Sequence, residues 1–182
     1  MNKYFAKLNV SNEDILISKS LEFVKSKPEV FYRQKTNASF YEFDVREYLT
    51  AVPEMQASMQ ELGFRCLRAA VYVMYSNIHS SAHRDCLNDQ ARINFPLLNC
   101  KNSYTEFYEN VKTFSWINPQ TGLQSHRVIN DDFVLADRVE MTGATVIRVS
   151  EAHNVIMDES IVPRITLTIG VYPNPVFLLK KI

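Results

Sequence analysis

The sequence predicts a mainly β fold, a sandwich or barrel with helices covering one face. Helical periodicity is confined to the first third of the 182 residues. From residue 66 onward, short segments rich in β-branched and aromatic residues alternate with turn-forming residues. Helices followed by many short strands are typical of such layered folds. The sequence has no internal repeat or linker, so it predicts one domain spanning 1–182.

Two helices are predicted before residue 64. The first lies in "SNEDILISKSLEFVKSK", where Ser11 and Asp14 fit a capping box, and Pro28 ends the pattern. The second lies in "VPEMQASMQELGF", with Pro53 in its first turn and Gly63 at its C-terminal end.

Six later segments have the composition of strands. They are "CLRAAVYVMYS" (66–76), "ARINFPLL" (91–98), "SYTEFYENVKTFSWI" (103–117), "DFVLADRVEM" (132–141), "GATVIRVS" (143–150) and "RITLTIGVYP" (164–173). Turn-forming pairs such as Asn118–Pro119 and Thr142–Gly143 separate some of them.

Composition argues against several classes of function. Twenty basic and twenty acidic residues balance, so no net field attracts nucleic acid or an anionic membrane. Cys66, Cys86 and Cys100 are too few and too scattered for a disulfide framework, which indicates reduced thiols. The N-terminus lacks the apolar core of a signal peptide, and no run is long enough to span a membrane. We therefore expect a soluble, cytoplasmic protein with no nucleic-acid or membrane partner.

A candidate metal site is formed by His83 and Asp85. Alternation along a strand places residues i and i+2 on one face, where an imidazole nitrogen and a carboxylate oxygen can share one ion. An isolated pair of this kind is more often a polar strand end. A second histidine, His153, follows the predicted strand 143–150 and strengthens the metal hypothesis.

Two predicted strands divide into an aliphatic face and a face that carries an arginine. Arg164, Thr166 and Thr168 share one face of their strand, and Arg92 and Asn94 share one face of another. These faces either meet water or line the interior of a barrel. In an interior, a buried guanidinium needs a partner, and the carboxylate of a dicarboxylate ligand supplies one.

The order His83-x-Asp85, a remote His153 and then Arg164 opening the next strand resembles the Fe(II)/2-oxoglutarate-dependent oxygenases. The segments "HRDCLNDQARINFPLLNC" (83–100) and "GATVIRVSEAHNVIMDESIVPRITLTIG" (143–170) are similar to the core of their small hydroxylase branch, related to aspartyl/asparaginyl and prolyl hydroxylases. This resemblance implies a double-stranded β-helix, a jelly-roll, cupin-like barrel. Residues 66–172 would form its core, and 1–65 a helical supporting region packed on one face.

The same resemblance implies the chemistry. His83, Asp85 and His153 would hold Fe(II), with 2-oxoglutarate as cosubstrate and O2 as oxidant. Arg164, helped by the Thr166 hydroxyl, would bind the distal carboxylate of 2-oxoglutarate. Arg92 would bind the cosubstrate, a substrate carboxylate or a structural acid. The expected reaction couples oxidation of a substrate C–H bond to conversion of 2-oxoglutarate to succinate and CO2, and the substrate is a small molecule or a peptide.

Two other functions remain open: a cupin-like barrel without oxygenase turnover, and a catalytically silent interaction module. A cupin-like barrel can bind a metal or small ligand without oxygenase turnover, but it does not require Arg164 at its position. His79 and His83 have the i, i+4 spacing of a helical zinc site, but the glutamate of a metalloprotease motif is absent. We therefore favour the oxygenase.

Several aromatic and polar residues lie outside the candidate metal and cosubstrate residues. Tyr72 and Tyr75 alternate, so both cannot face a barrel interior, and a core role is the commoner one for each. The segment 101–130, which includes Trp116, suits a lid or a substrate wall, although such aromatic residues more often lie in a core. His126 is predicted to be a surface residue on a loop.

Overall fold

Three helices and two β-sheets make up the described part of the chain. The computed structural model describes residues 2–31, 38–76, 81–85, 90–117, 124–157 and 161–180. The helices are Glu13–Lys25 (α1), Val45–Ala51 (α2) and Pro53–Glu61 (α3), and the 3-10 turns are Pro28–Val30 and Pro175–Leu178. The strands are Phe5–Lys7 (β1), Ala38–Phe43 (β2), Arg65–Met74 (β3), His83–Arg84 (β4), Ala91–Leu98 (β5), Ser103–Glu109 (β6), Thr113–Ile117 (β7), Gln124–Val128 (β8), Val134–Glu140 (β9), Thr145–Arg148 (β10), His153–Met157 (β11) and Arg164–Tyr172 (β12).

The strands form two antiparallel sheets, each with six strands within the described ranges. Sheet I has the order β1-β10-β5-β12-β3-β2, and sheet II has the order β7-β8-β4-β11-β6-β9. The chain changes sheet at each step from β3 to β6, and again at each step from β9 to β12. This alternation is that of a double-stranded β-helix, or jelly roll, so the predicted fold class is confirmed.

Sheet I buries its two faces in different surroundings. On one face Ile165, Leu167 and Ile169 join a hydrophobic core with side chains of the three helices. On the other face Arg164 and Thr166 line a cavity between the sheets. The helices therefore cover the outer face of sheet I, and the polar positions of the same strand are left for the barrel interior. The predicted division of this strand is confirmed.

The first third of the chain contains more than the predicted helices. Strand β2 pairs with β3 along its whole length, and β1 pairs with β10, so both extend sheet I. Helix α2 also lies outside the predicted helices. Its N-cap is Asp44, whose carboxylate accepts hydrogen bonds from the backbone of Arg46 at 2.7 Å and of Glu47 at 3.2 Å.

The predicted start of α1 is wrong by one residue. Asn12, not Ser11, holds the N-cap position, with a φ of 57° and no side-chain capping hydrogen bond. Glu13, in the first helical turn, instead accepts a hydrogen bond from the backbone of Ala144. The first turn of α1 is thus hydrogen-bonded to the residue before β10, and no side chain caps the helix locally. The predicted boundaries of α3 are confirmed, since Gly63 follows it with a φ of 82°.

Several later strands differ from the prediction. The segment 103–117 is two strands, β6 and β7, separated by a turn in which Asn110 has a φ of 58°. His126 was expected on a loop, but it lies in β8 and pairs with Arg84 in β4. Strand β8 is polar and only five residues long, so its sequence is hard to distinguish from a loop. The predicted residues His79, Cys86, Asn118 and Pro119 lie outside the described part of the chain.

Among the described residues, no helix is long and apolar enough to cross a membrane. Cys66 and Cys100 are buried, free thiols, as expected from the cysteine count.

Candidate metal centre

Three potential metal ligands converge at the inner face of sheet II. His83 in β4 is the register partner of His153 in β11, so the two imidazoles lie side by side, with ring centroids 4.8 Å apart. Asp85 follows β4, where its backbone N–H donates to the carbonyl of Val149 at 3.0 Å. The donor atoms of the three residues all lie within 4.8 Å of one another. The sequence motif is therefore assembled in space.

Hydrogen bonds fix the tautomer of both histidines. Nδ1 of His83 lies 3.0 Å from the carbonyl of Ser81, and Nδ1 of His153 lies 2.9 Å from the carbonyl of Glu151. A carbonyl only accepts, so each Nδ1 carries a hydrogen, and each Nε2 is the nitrogen left to bind a metal. Metal-binding histidines are commonly oriented in this way, by a hydrogen bond from the nitrogen that does not bind the metal.

Asp85 is placed to act as the anionic ligand. Burial raises the pKa of its carboxyl group, but the hydrogen bond from His83 and the electrostatic influence of His153, His83 and Arg92 lower it to about 2. The carboxyl group is therefore ionised at neutral pH. Its side chain is 50% exposed, and that exposed surface faces the cavity.

The two imidazoles have opposite pKa shifts. Burial lowers the pKa of His83, but the hydrogen bond to Asp85, the charge of that carboxylate and the hydrogen bond to the Ser81 carbonyl together outweigh this effect, and the net shift is upward. Burial lowers the pKa of His153, and the neighbouring His83 lowers it further. His153 is therefore a neutral ligand at physiological pH.

A cavity of about 510 Å³ lies between the two sheets, and the triad forms part of its wall. Sheet I contributes polar side chains to the wall, and these include Tyr72, Arg92, Asn94, Arg164, Thr166 and Thr168. The face that carries Arg92 and Arg164 thus lines a barrel interior. The sequence left this choice open.

Arg164 is a buried cation with unused hydrogen-bonding capacity. It is 1% exposed, and its Nε donates to the hydroxyl of Ser103 at 2.5 Å. Its Nη1 is buried and has no hydrogen-bond partner among the described residues. Burial lowers the pKa of the guanidinium. An unpaired donor on a buried cation is costly, and an anionic ligand in the cavity removes that cost.

Other predicted residues surround this guanidinium and the triad. Thr166 is buried in the cavity wall two residues after Arg164, and its hydroxyl lies 3.8 Å from the sulfur of Cys100. Tyr72 is the register partner of Thr166 and also lines the cavity, so its expected core role is wrong. Tyr75 instead packs against the core on the helical side of sheet I, and its hydroxyl donates a hydrogen bond to the carbonyl of Val30.

Arg92 lies on the same side of the site as Asp85. It lines the cavity, and its Nη2 lies 3.3 Å from the side-chain oxygen of Gln90. Its charge contributes to the low pKa of Asp85. Arg92 is thus close enough to the metal ligands to act on an anion bound beside them.

The residues present fit a metal ion and a dicarboxylate. Two imidazoles and one carboxylate are the donor set of the non-haem Fe(II) oxygenases. Nε2 of His83 lies 3.4 Å from Oδ1 of Asp85, close to the spacing of about 3 Å between adjacent ligands at 2.0–2.2 Å from one ion. The unpartnered Nη1 of Arg164 supplies the matching donor for a carboxylate.

Sequence reasoning missed two residues of the site, one that contacts Arg164 and one in the cavity wall. Ser103, which orients Arg164, lies 61 positions away in the sequence, and no local pattern reveals such a contact. Arg127 lies in β8, a segment that the sequence analysis interpreted as a polar loop. The alternation of Ser125 and Arg127 was the available signal, but five residues are too few to show a period. Trp116 was considered as part of a substrate wall, and it does line the cavity.

Comparisons with known proteins bear on the fold. No protein-family model and no curated protein matches the sequence. The structure is similar to AviO1 from Streptomyces viridochromogenes Tue57, with a TM-score of 0.52 at 10% identity over 92% of this chain and 89% of that one. At this identity the similarity supports the fold alone.

Two further solved structures are similar at lower TM-scores. HygX from Streptomyces hygroscopicus, with nickel and 2-oxoglutarate bound, gives a TM-score of 0.48 at 8% identity, covering 92% of this chain and 82% of that one. E. coli ycfD gives 0.42 at 10% identity, covering 75% of this chain. This chain spans 34% of the length of ycfD.

Proposed function

We propose that this protein is an Fe(II)- and 2-oxoglutarate-dependent oxygenase, and specifically a hydroxylase of a small molecule or a protein side chain. One observation carries the proposal. The His83–Asp85–His153 donors and the unpartnered Nη1 of buried Arg164 lie in the wall of the same cavity. A metal-binding barrel without turnover accounts for the triad, but it gives no reason to bury a cation with a free donor.

The protein side chains would have different roles in binding the metal. His83 and His153 would present their Nε2 lone pairs to Fe(II), and Asp85 would add one negative charge. When bound, the metal and its cosubstrate supply oxidative decarboxylation of 2-oxoglutarate, with O2, to succinate and CO2, coupled to substrate C–H oxidation.

Arg164 would bind the distal carboxylate of 2-oxoglutarate. Ser103 holds Nε and thereby fixes the plane of the guanidinium, so Nη1 is presented in one orientation. Thr166, on the same strand face, would add a hydroxyl donor. Arg92 would supply positive charge at the other end of the cosubstrate, near Asp85.

The cavity wall also limits access of water to the reacting groups. Apolar residues of both sheets lie between the polar ones, and they include Ala70, Met141, Ile147, Val149 and Val155. Apolar surroundings strengthen the attraction between Arg164 and a carboxylate, because the local dielectric constant is lower than that of water.

Anaerobic spectroscopy and turnover together test the proposal. Fe(II) and 2-oxoglutarate added without oxygen should bind and produce a visible charge-transfer band. His83→Ala and His153→Ala should abolish the band and the bound iron. His126→Ala is the matched control, because this histidine lies in the same sheet but does not line the cavity.

Arg164→Gln should weaken 2-oxoglutarate binding by about 10- to 100-fold, the value of a charge-assisted hydrogen bond, and leave the metal affinity unchanged. Arg68→Gln is the control, because Arg68 lines the cavity but already pairs with Glu42. Oxygen-dependent release of succinate with the iron protein completes the test. Binding of metal without any 2-oxoglutarate affinity would instead identify a non-oxidative cupin-like barrel.

A further inference from the structure

The described wall of the cavity carries more positive than negative charge. Four arginines line it, and they are Arg68, Arg92, Arg127 and Arg164, whereas Asp85 supplies the carboxylate. Glu42 neutralises Arg68 through two hydrogen bonds of 2.6 Å. The proposed function assigns Arg164 and Arg92 to the cosubstrate and Asp85 to the metal. Arg127 is then a cation without an assigned anion.

Arg127 lies directly beside the metal ligands. It is the register partner of His83 across β8 and β4, and partners of this kind have Cβ atoms about 5 Å apart on one face of the sheet. In the described part of the chain, no ion pair involves Arg127.

Trp116 holds the guanidinium of Arg127 in one orientation. The guanidinium carbon lies 3.5 Å from the centroid of a Trp116 ring, which is a stacked cation–π contact. Stacking uses the flat face of the group and leaves its N–H donors pointing outward along the edges. Ser125, the register partner of Trp116, lines the same part of the cavity and adds a hydroxyl.

We propose that Arg127, stacked on Trp116, binds an oxyanion group of the substrate, so that the hydroxylated compound carries a carboxylate or a phosphate. The inference rests on the proposed function for the reaction, and it adds the substrate class. A fixed guanidinium with free edges binds either oxyanion through two parallel hydrogen bonds. Because Arg127 lies beside His83, a substrate bound there would have the C–H bond next to its anionic group close to the candidate metal ligands.

The protein contains an intrinsic fluorescent reporter for this site. Trp116 is the single tryptophan of the chain, so intrinsic fluorescence reports directly on the Arg127–Trp116 contact. Benzoate, phenyl phosphate and the neutral benzamide serve as probes of matched size. They are titrated into protein that holds Zn(II) and saturating 2-oxoglutarate, which prevents turnover and occupies Arg164. The same titration is repeated with metal-free protein.

Benzoate or phenyl phosphate should change the fluorescence saturably, and the tighter of the two identifies the group as carboxylate or phosphate. Benzamide should bind at least 10-fold more weakly. Arg127→Gln should weaken the anion at least 10-fold, and Arg127→Lys should weaken it less, because lysine keeps the charge but not the planar fork. Arg138→Gln is the matched control, since Arg138 stacks on Tyr104 in the same sheet but does not line the cavity.

Three results of the anion titrations would overturn the proposal. They are equal binding of benzamide and the anions, unchanged anion binding in Arg127→Gln, and no saturable response to either anion. A loss of 2-oxoglutarate affinity in Arg127→Gln would also overturn it, because Arg127 would then be a cosubstrate residue. Failure of the wild-type protein to bind 2-oxoglutarate contradicts the proposed function instead, and the metal-free titration still tests Arg127.

Discussion

Asp85 controls the protonation of His83 before any metal binds. Their side chains lie 3.4 Å apart, and the carboxylate outweighs the effect of burial on the imidazole. A raised histidine pKa means that the folded protein holds the proton more tightly than the unfolded chain. The pair therefore stabilises the metal-free fold below the ordinary histidine pKa, and this stabilisation is lost as the pH rises through the raised value.

Asp85→Asn should lower the pKa of His83 in the metal-free protein to below 6.5. The neutral amide cannot stabilise the imidazolium, so burial and the charge of Arg127 then outweigh the hydrogen bond to the Ser81 carbonyl. NMR titration of the imidazole resonances measures it, and Asp131→Asn, an exposed change away from the site, is the control. A His83 pKa that stays raised in the Asp85 variant would show that another group stabilises its charge.

Cys66 should be inert towards alkylation in the native protein. Burial raises the pKa of its thiol to about 12, so almost no thiolate is present at pH 8. Iodoacetamide at pH 8 should label Cys66 in urea but not in buffer, as located by peptide mass spectrometry. Rapid labelling in buffer would mean that β3 opens at this end. The raised pKa also implies that stability falls as the pH rises above the ordinary thiol pKa.

At the scale of elements, α3 supports the fold from the side of sheet I opposite the cavity. Met55 and Met59 are fully buried in the core between the helices and this sheet. The contribution of α3 to the site is therefore indirect, through the rigidity of the strands that carry Arg164 and Thr166.

Met59→Ala should lower the free energy of unfolding by about 2–5 kcal/mol, since it removes a buried side chain and leaves a cavity. Urea denaturation at 25 °C measures this loss. The affinity of the remaining folded protein for 2-oxoglutarate should not change, because no residue of α3 lines the described cavity wall. Gln60→Ala, an exposed change in the same helix, should have little effect on either quantity. A large loss of cosubstrate affinity in the Met59 variant would show that α3 sets the position of β12.

The sequence predicted those strands that bury an aliphatic face. Strand β5 has the bounds expected from "ARINFPLL", and β12 differs from its predicted segment by one residue. In both, alternate positions enter a hydrophobic core, so the period of two is strong. Strands β8 and β11 were missed as strands because each is five residues long and carries polar cavity residues, Arg127 in one and His153 in the other.

The candidate site was predictable only where its residues are close in sequence or follow a known order. His83, Asp85, His153 and Arg164 fall in such an order, and the structure brings the first three together and places Arg164 across the cavity from them. The contact of Ser103 with Arg164 depends on how β6 and β12 approach in space, and no local pattern encodes that distance.

At the scale of the whole molecule, the two sheets contribute different halves of the site. Sheet II carries the candidate metal ligands His83 and His153 in β4 and β11, and sheet I carries the guanidinium of β12. A cosubstrate that touches both would connect the sheets across the cavity. Its binding energy would then add to the stability of the entire barrel, because the unfolded chain holds neither half of the site in place.

Ni(II), a redox-stable substitute for Fe(II), and 2-oxoglutarate should therefore raise the melting temperature together by more than Ni(II) alone. A ligand at 100 times its Kd adds about 2.7 kcal/mol to the free energy of unfolding. For a chain of 182 residues this corresponds to a shift of roughly 5–10 °C. Arg164→Gln should keep the shift caused by the metal and lose most of the additional shift caused by 2-oxoglutarate, whereas His153→Ala should lose both. Differential scanning fluorimetry measures each shift. An additional 2-oxoglutarate shift that persists in the Arg164 variant would mean that the cosubstrate is held from sheet II alone, and that the buried guanidinium has another partner.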